Sequence, residues 1–181
     1  MYLKSLKGCK LKIGRYPQFD YNAEGGGGKG TFASSKEETK RHIFFNPKDF
    51  NIPSINWMTT KILGFPLPPG IVIDIKTERL EGYIDYKEMD ISLEFEAKFK
   101  FSIGSIIYAP DLIVKTLLKN KALNAINNIQ PSKSIDDHRV IVLKGIANVP
   151  PTGNRLFDNF LSLPNKAEAI LNCTINGLTD Y

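Results

Sequence analysis

The stretch Asp90–Ser102, DISLEFEAKFKFS, alternates without an error. Ile91, Leu93, Phe95, Ala97, Phe99 and Phe101 fall on one side; Asp90, Ser92, Glu94, Glu96, Lys98, Lys100 and Ser102 fall on the other. A period of two means an extended strand with one dry face and one wet face. Such strands belong to antiparallel sheets, which bury one side and solvate the other. Fully extended, this one would run roughly 40 Å at about 3.3 Å per residue, longer than most strands. It is therefore expected to bend or to serve two sheets.

Working outward, the same pattern recurs in shorter pieces. Gly70–Thr77 (GIVIDIKT) sets Ile71, Ile73 and Ile75 against Val72, Asp74 and Lys76. Leu80–Tyr86 (LEGYIDY) precedes a short turn near Lys87 and Glu88, which makes it the hairpin partner of the long strand. CKLKI, GTFAS, RHIFF, LIVKTLL, RVIVLKGIANV and AEAILNCTI complete a set of about eight to ten strands.

Two segments break the alternation. After Pro53, SINWMTTKILG has a serine placed to cap a helix and a glycine placed to end it, predicting a helix over Ser54–Leu63. The proline-stiffened FPLPPG that follows cannot enter a central strand. The second segment, Asn154–Leu163 (NRLFDNFLSL), carries Leu156, Phe160 and Leu163 at helical spacing, with Phe157 and Leu161 as a further i, i+4 pair. It predicts a helix packed on the sheet.

Strands in excess, few helices and no βαβ alternation argue against a parallel nucleotide-binding sheet. The predicted fold is mainly β: one β-rich domain over residues 1–181, an antiparallel barrel or two-sheet sandwich with one or two short helices. If the sheet closes, its first and last strands become neighbours, and Cys9 and Cys173 both point inward.

The chain of 181 residues is long enough for a substantial core, and 42% hydrophobic with 24% charged residues is the balance of a folded protein. The net charge of +5 is a mild excess spread along the chain, densest at Lys40-Arg41-His42 and at Lys115, Lys119 and Lys121. Lysine dominates, without arginines interleaved with aromatics, which disfavours nucleic acid as a partner. The two cysteines form neither a disulfide framework nor a metal motif. The N-terminal MYLKSLKGCKLKIG has no continuous apolar segment, and no run approaches the length of a membrane span. The expected location is the cytoplasm, peripheral to a membrane at most, with reduced thiols.

Chemistry-bearing motifs are sparse. The glycine run in NAEGGGGKGTF (Asn22–Phe32) fails the phosphate-loop pattern, with Ala23 where a glycine is required and Gly30 where Ser or Thr is required. Strand-like sequence follows it, so there is no helix N-terminus to grip phosphate. The run is expected to be a turn, or a bulge where another backbone approaches closely. Asp136, Asp137 and His138 are consecutive, and extended neighbours point to opposite sides, which is poor geometry for chelation. Asp74, Asp85, Glu94 and Glu96 fall on outward positions, where a charged sheet face accounts for them better than an acid–base pair does. No metal set and no cofactor site is expected.

Three functional readings follow. The first is a non-catalytic carrier of an apolar ligand (lipid, isoprenoid or pigment) contacted by Trp57, Met58, Ile62, Phe65, Phe95, Phe99 and Phe101. Its plan resembles lipocalin-like and fatty-acid-binding-like barrels, a likeness of general architecture. The second is a peripheral membrane or complex-assembly module using the apolar Trp57–Leu67 segment. The third is an enzyme on a β-barrel, with catalytic groups the sequence does not single out. Partners expected on these readings are an apolar small molecule, a membrane surface or another protein.

Overall fold

The alternating stretch forms the longest pairing in the molecule. The computed structural model describes residues 1–33, 39–85, 87–88, 90–104, 107–120 and 139–177. The strands begin with β1 (Tyr2–Ser5), β2 (Cys9–Ile13), β3 (Phe19–Tyr21), β4 (Gly27–Phe32) and β5 (Lys40–Phe45). Two short pieces, β6 (Thr60–Ile62) and β7 (Phe65–Pro66), precede the long β8 (Ile71–Asp85) and β9 (Asp90–Ile103). Then come β10 (Ile107–Tyr108), β11 (Leu112–Lys119), β12 (Arg139–Val149), helix α1 (Arg155–Leu161) and β13 (Asn165–Asn176).

β8 and β9 pair antiparallel from Ile71↔Ile103 to Asp85↔Asp90, with a register shift between Thr77 and Arg79. The sequence demands that shift. In β9 the apolar side chains keep odd numbers throughout. In β8 they are odd up to Ile75 and even from Leu80 through Ile84. A single extra residue at Glu78 restores the phase, so that Leu80 and Ile84 are buried on the same side as Thr77. A β-bulge does this, and it also sharpens the local bend. The pieces Gly70–Thr77 and Leu80–Tyr86, expected as separate strands, are thus one strand with a joint.

All the strands belong to one sheet with the order β1-β4-β5-β8-β9-β11-β12-β13-β2-β3-β6-β7, β10 pairing with β9. β1 also pairs with β13, through Tyr2↔Asn176 to Ser5↔Cys173, so the first and last strands are neighbours. Both cysteines are buried and free, and the Asn172 N–H lies 3.3 Å from the Cys9 Sγ.

Closure does not run the length of the sheet. β5 covers β8 only over Leu80–Asp85. Below the bulge, Ile73 makes one isolated bridge with Ile55, and no named strand lies along that edge among the described residues. The fold is mainly β with one short helix among the described residues, and it is layered like a sandwich rather than sealed as a barrel. The expectation of a barrel is corrected on this point. The strand count among the described residues also exceeds the expected eight to ten, because short pieces such as β1, β3, β6, β7 and β10 join the sheet.

The helix predicted over Ser54–Leu63 is absent. Asn56 takes over the local backbone instead, its Oδ1 accepting from the N–H of Met58 (2.8 Å) and of Thr59 (3.2 Å). The Thr59 hydroxyl returns to the Ser54 carbonyl at 2.7 Å. Such side-chain bonds compete with helical ones. Leu63 and Gly64, both with positive φ, then form the two-residue turn of the β6–β7 hairpin. The helix predicted over Asn154–Leu163 is present as α1.

The glycine run proves to be a packing device. β4 lies between β1 and β5, and loop residues Asp49–Asn51 lie against the glycines. A Cβ on Gly28 would stand 2.8 Å from the Phe50 ring, and one on Gly30 would stand 2.9 Å from Phe45. At Gly27, φ is 127° and a Cβ would collide with the Leu3 carbonyl. The buried core on this side includes Leu3, Ile43, Phe45, Leu80, Ile84, Ile91 and Leu93.

Gly27→Ala should cost about 2–4 kcal/mol in urea unfolding, combining backbone strain with overpacking. Gly25→Ala, whose Cβ would meet nothing within 4 Å but whose φ of 90° still strains an alanine, should cost the backbone strain alone, about 1–2 kcal/mol. Equal losses at the two positions would refute the close-approach account.

Candidate functional site

The inner sides of β8, β9, β11 and β12 face β2, β3 and β6 across a cleft of about 610 Å³, which reaches from the open end past the bulge to Leu3, Leu80, Leu93 and Leu143. Ile71, Ile73 and Ile75 of β8 line it, with Phe95, Phe99 and Phe101 of β9. Leu112 and Val114 of β11, Ile13 and Tyr16 at the end of β2, and Ile62 of β6 extend the wall. These are the inward positions of alternating strands, so the wall is apolar because the sheet pattern makes it so.

Helix α1 forms the lip. Asn154 caps it, its side chain accepting from the Phe157 N–H at 3.1 Å. Asp158 turns back to the preceding loop and accepts from the Thr152 N–H (2.8 Å), the Thr152 hydroxyl (2.7 Å) and the Gly153 N–H (3.1 Å). These bonds hold its carboxyl below the usual carboxylate range. From the other side, the Tyr16 hydroxyl donates to the Phe160 carbonyl at 2.6 Å, and the two rings lie 5.7 Å apart. Phe157 packs edge-on to Phe101 at 4.9 Å, and Leu161 is buried.

The two i, i+4 pairs of the helix therefore do different things. Phe157 and Leu161 anchor it to the sheet. Leu156 and Phe160 line the cleft, yet they are 84% and 58% exposed. The cleft consequently opens to solvent beside the helix, across an apolar lip.

Of the residues singled out from sequence, Ile62, Phe95, Phe99 and Phe101 meet in the cleft wall. Trp57, Met58 and Phe65 lie outside it and are exposed, at the turn and hairpin that replace the expected helix. Sequence reasoning passed over Leu156, Phe160 and Tyr16. The available signal was the surplus of apolar residues on α1, since a seven-residue helix cannot bury two full i, i+4 pairs against one sheet.

Ionisable groups are engaged elsewhere. Glu96 pairs with Lys115 at 2.8 Å, Glu94 with Arg79 at 3.2 Å, and Arg79 also bridges to Glu81, all on the outer face. Asp74 accepts from the Ser54 hydroxyl at 2.5 Å. His42 stands edge-on to Tyr83 at 4.9 Å. Asp136, Asp137, His138 and Lys121 lie outside the described residues. Among the described residues there is no group of three His, Cys, Asp or Glu side chains able to hold a metal ion. No helix among the described residues is long and apolar enough to cross a membrane. Burial, with Cys9 nearby, pushes the Cys173 thiol up to about 12, and burial raises Cys9 as well.

The chain matches no protein-family model, no curated protein and no solved structure. The strand pairing corrects the three functional readings drawn from sequence. A lipocalin-like carrier requires a sheet closed around its ligand. Here the pairing order is not sequential, closure fails below the bulge, and the cleft is open at the lip. The membrane or assembly module was drawn on the apolar Trp57–Leu67 segment, where the chain forms a turn and a short hairpin and not a long apolar helix. The barrel enzyme was drawn on a barrel, and closure does not continue below the bulge.

Two measurements test these assignments. Both thiols should resist alkylation at neutral pH in the native protein and react promptly in denaturant; rapid native labelling would contradict their burial. Asp158→Asn should raise hydrogen exchange at Thr152, Gly153 and along α1. A depressed carboxyl stabilises the fold above its ordinary pKa and loses that effect as pH falls through the lower folded value. The wild-type lip should therefore loosen only on strong acidification, and the variant should show no such step.

Proposed function

We propose that this domain is a protein-recognition module whose open cleft receives an apolar segment of a partner polypeptide. The observation that carries the reading is the lip. Leu156 and Phe160 border an apolar wall and are held exposed by a helix fixed at both ends through Asn154, Asp158 and Tyr16. Large exposed apolar side chains at the edge of a concave surface mark interaction sites. Pre-organised aromatic anchors are the residues that supply binding energy.

A small molecule lodged deep against Phe95 and Phe99 would leave Leu156 and Phe160 wet. A polypeptide crossing the lip covers both while placing a side chain in the cleft. Its backbone remains at the open side, where solvent satisfies its polar groups.

Selection of random displayed peptides on the full chain provides the test. Enriched peptides should share a large apolar residue. Their affinity, read by fluorescence anisotropy, should fall about tenfold or more in Leu156→Glu and in Phe160→Glu. The melting temperature should hold, because both side chains are exposed. Failure to enrich any peptide, or wild-type affinity in both variants, would overturn the reading.

A further inference from the structure

The charges around the lip select among polypeptides. Lys12 stands opposite Glu168 in the β2–β13 register, and Lys61 stands opposite Asp20 in the β3–β6 register. Each of these lysines has a carboxylate as its cross-strand neighbour, although neither closes to an ion pair among the described residues. Arg15 and Arg155 lie outside the strands and have no such neighbour. Arg15 precedes Tyr16 in the turn after β2, and Arg155 opens α1 immediately before Leu156; both are exposed. Neither forms an ion pair among the described residues. The nearby carboxyl that could compete, Asp158, is already committed to Thr152 and Gly153.

Two guanidinium groups without carboxylates therefore sit on the two elements that carry the lip, each next in sequence to a cleft-lining residue. Guanidinium binds carboxylate through two parallel hydrogen bonds, which fixes orientation as well as charge.

Resting on the reading above, we infer that the partner segment is acidic: an apolar anchor for the cleft, flanked by Asp or Glu that pair with Arg15 and Arg155. A polypeptide fits this arrangement better than an anionic bilayer does. The apolar surface between the arginines is concave, whereas a bilayer meets a flat or convex face.

The displayed-peptide selection supplies the first arm, and Asp or Glu should be enriched beside the apolar anchor. In the second arm, the Arg15→Glu/Arg155→Glu double variant should weaken a selected acidic peptide about tenfold. The corresponding peptide with Asn and Gln in place of its acids should bind weakly to wild type and ignore the double variant. Raising salt from about 50 to about 500 mM should weaken only the acidic peptide. Neutral or basic flanks among selected peptides, or an unchanged affinity in the double variant, would overturn the acidic partner while leaving the cleft reading standing. Absence of any enriched peptide would overturn both. Sedimentation with phosphatidylserine vesicles that depends on Arg15 and Arg155, without peptide binding, would overturn it in favour of a bilayer.

Discussion

The pairing of β8 with β9 is the constraint from which the remaining geometry follows. It is the longest ladder in the sheet, and its two strands disagree in phase unless one residue is set aside at Glu78. Above that bulge, β8 has a strand on each side, and the side chains of Leu80, Ile84, Ile91 and Leu93 close into a dense core with Ile43 and Phe45. Below it, β8 turns away from β5 and keeps only the Ile55 bridge. One hydrogen-bonded ladder therefore serves two regimes: a half flanked by β5 that is packed on its outer end, and a half without that neighbour where the cleft reaches solvent.

The glycine run serves the packed half. β4 must fit between β1 and β5 while the Asp49–Asn51 loop lies against its face, and side chains at Gly27, Gly28 and Gly30 would occupy space already filled by Leu3, Phe50 and Phe45. Glycine weakens a strand interior in isolation. Here it permits backbone approaches that a larger residue would prevent, and tertiary packing offsets its entropic cost.

The open half depends on a short helix that could not be stable alone. Seven residues lie well below the length at which isolated helices persist. α1 is held by its cap, by the Asp158 bonds to its own entry loop and by Tyr16 from across the cleft. With Phe157 and Leu161 anchored inward, Leu156 and Phe160 are forced outward by the helical period itself. Exposure of the lip is thus a geometric consequence of anchoring the other pair.

Strand pattern was legible in the sequence because alternation reports directly on which face of a sheet is buried. The mainly β class, the β8–β9 hairpin, helix α1 and the cleft-facing aromatics Phe95, Phe99 and Phe101 all follow from it. The Ser54–Leu63 segment was not legible. Its apolar content suited a helix, while the competing bonds from Asn56 and Thr59 reveal themselves only once the backbone has turned. Nor could alternation disclose where strands separated in sequence would stop pairing. The sequence by itself determined the period and the hairpin, and the departure of Asn22–Phe32 from the phosphate-loop pattern. Only the tertiary structure decided that the sheet opens below Thr77 and that α1 shows two apolar side chains to solvent, because both depend on non-local partners, β5 in one case and Tyr16 in the other.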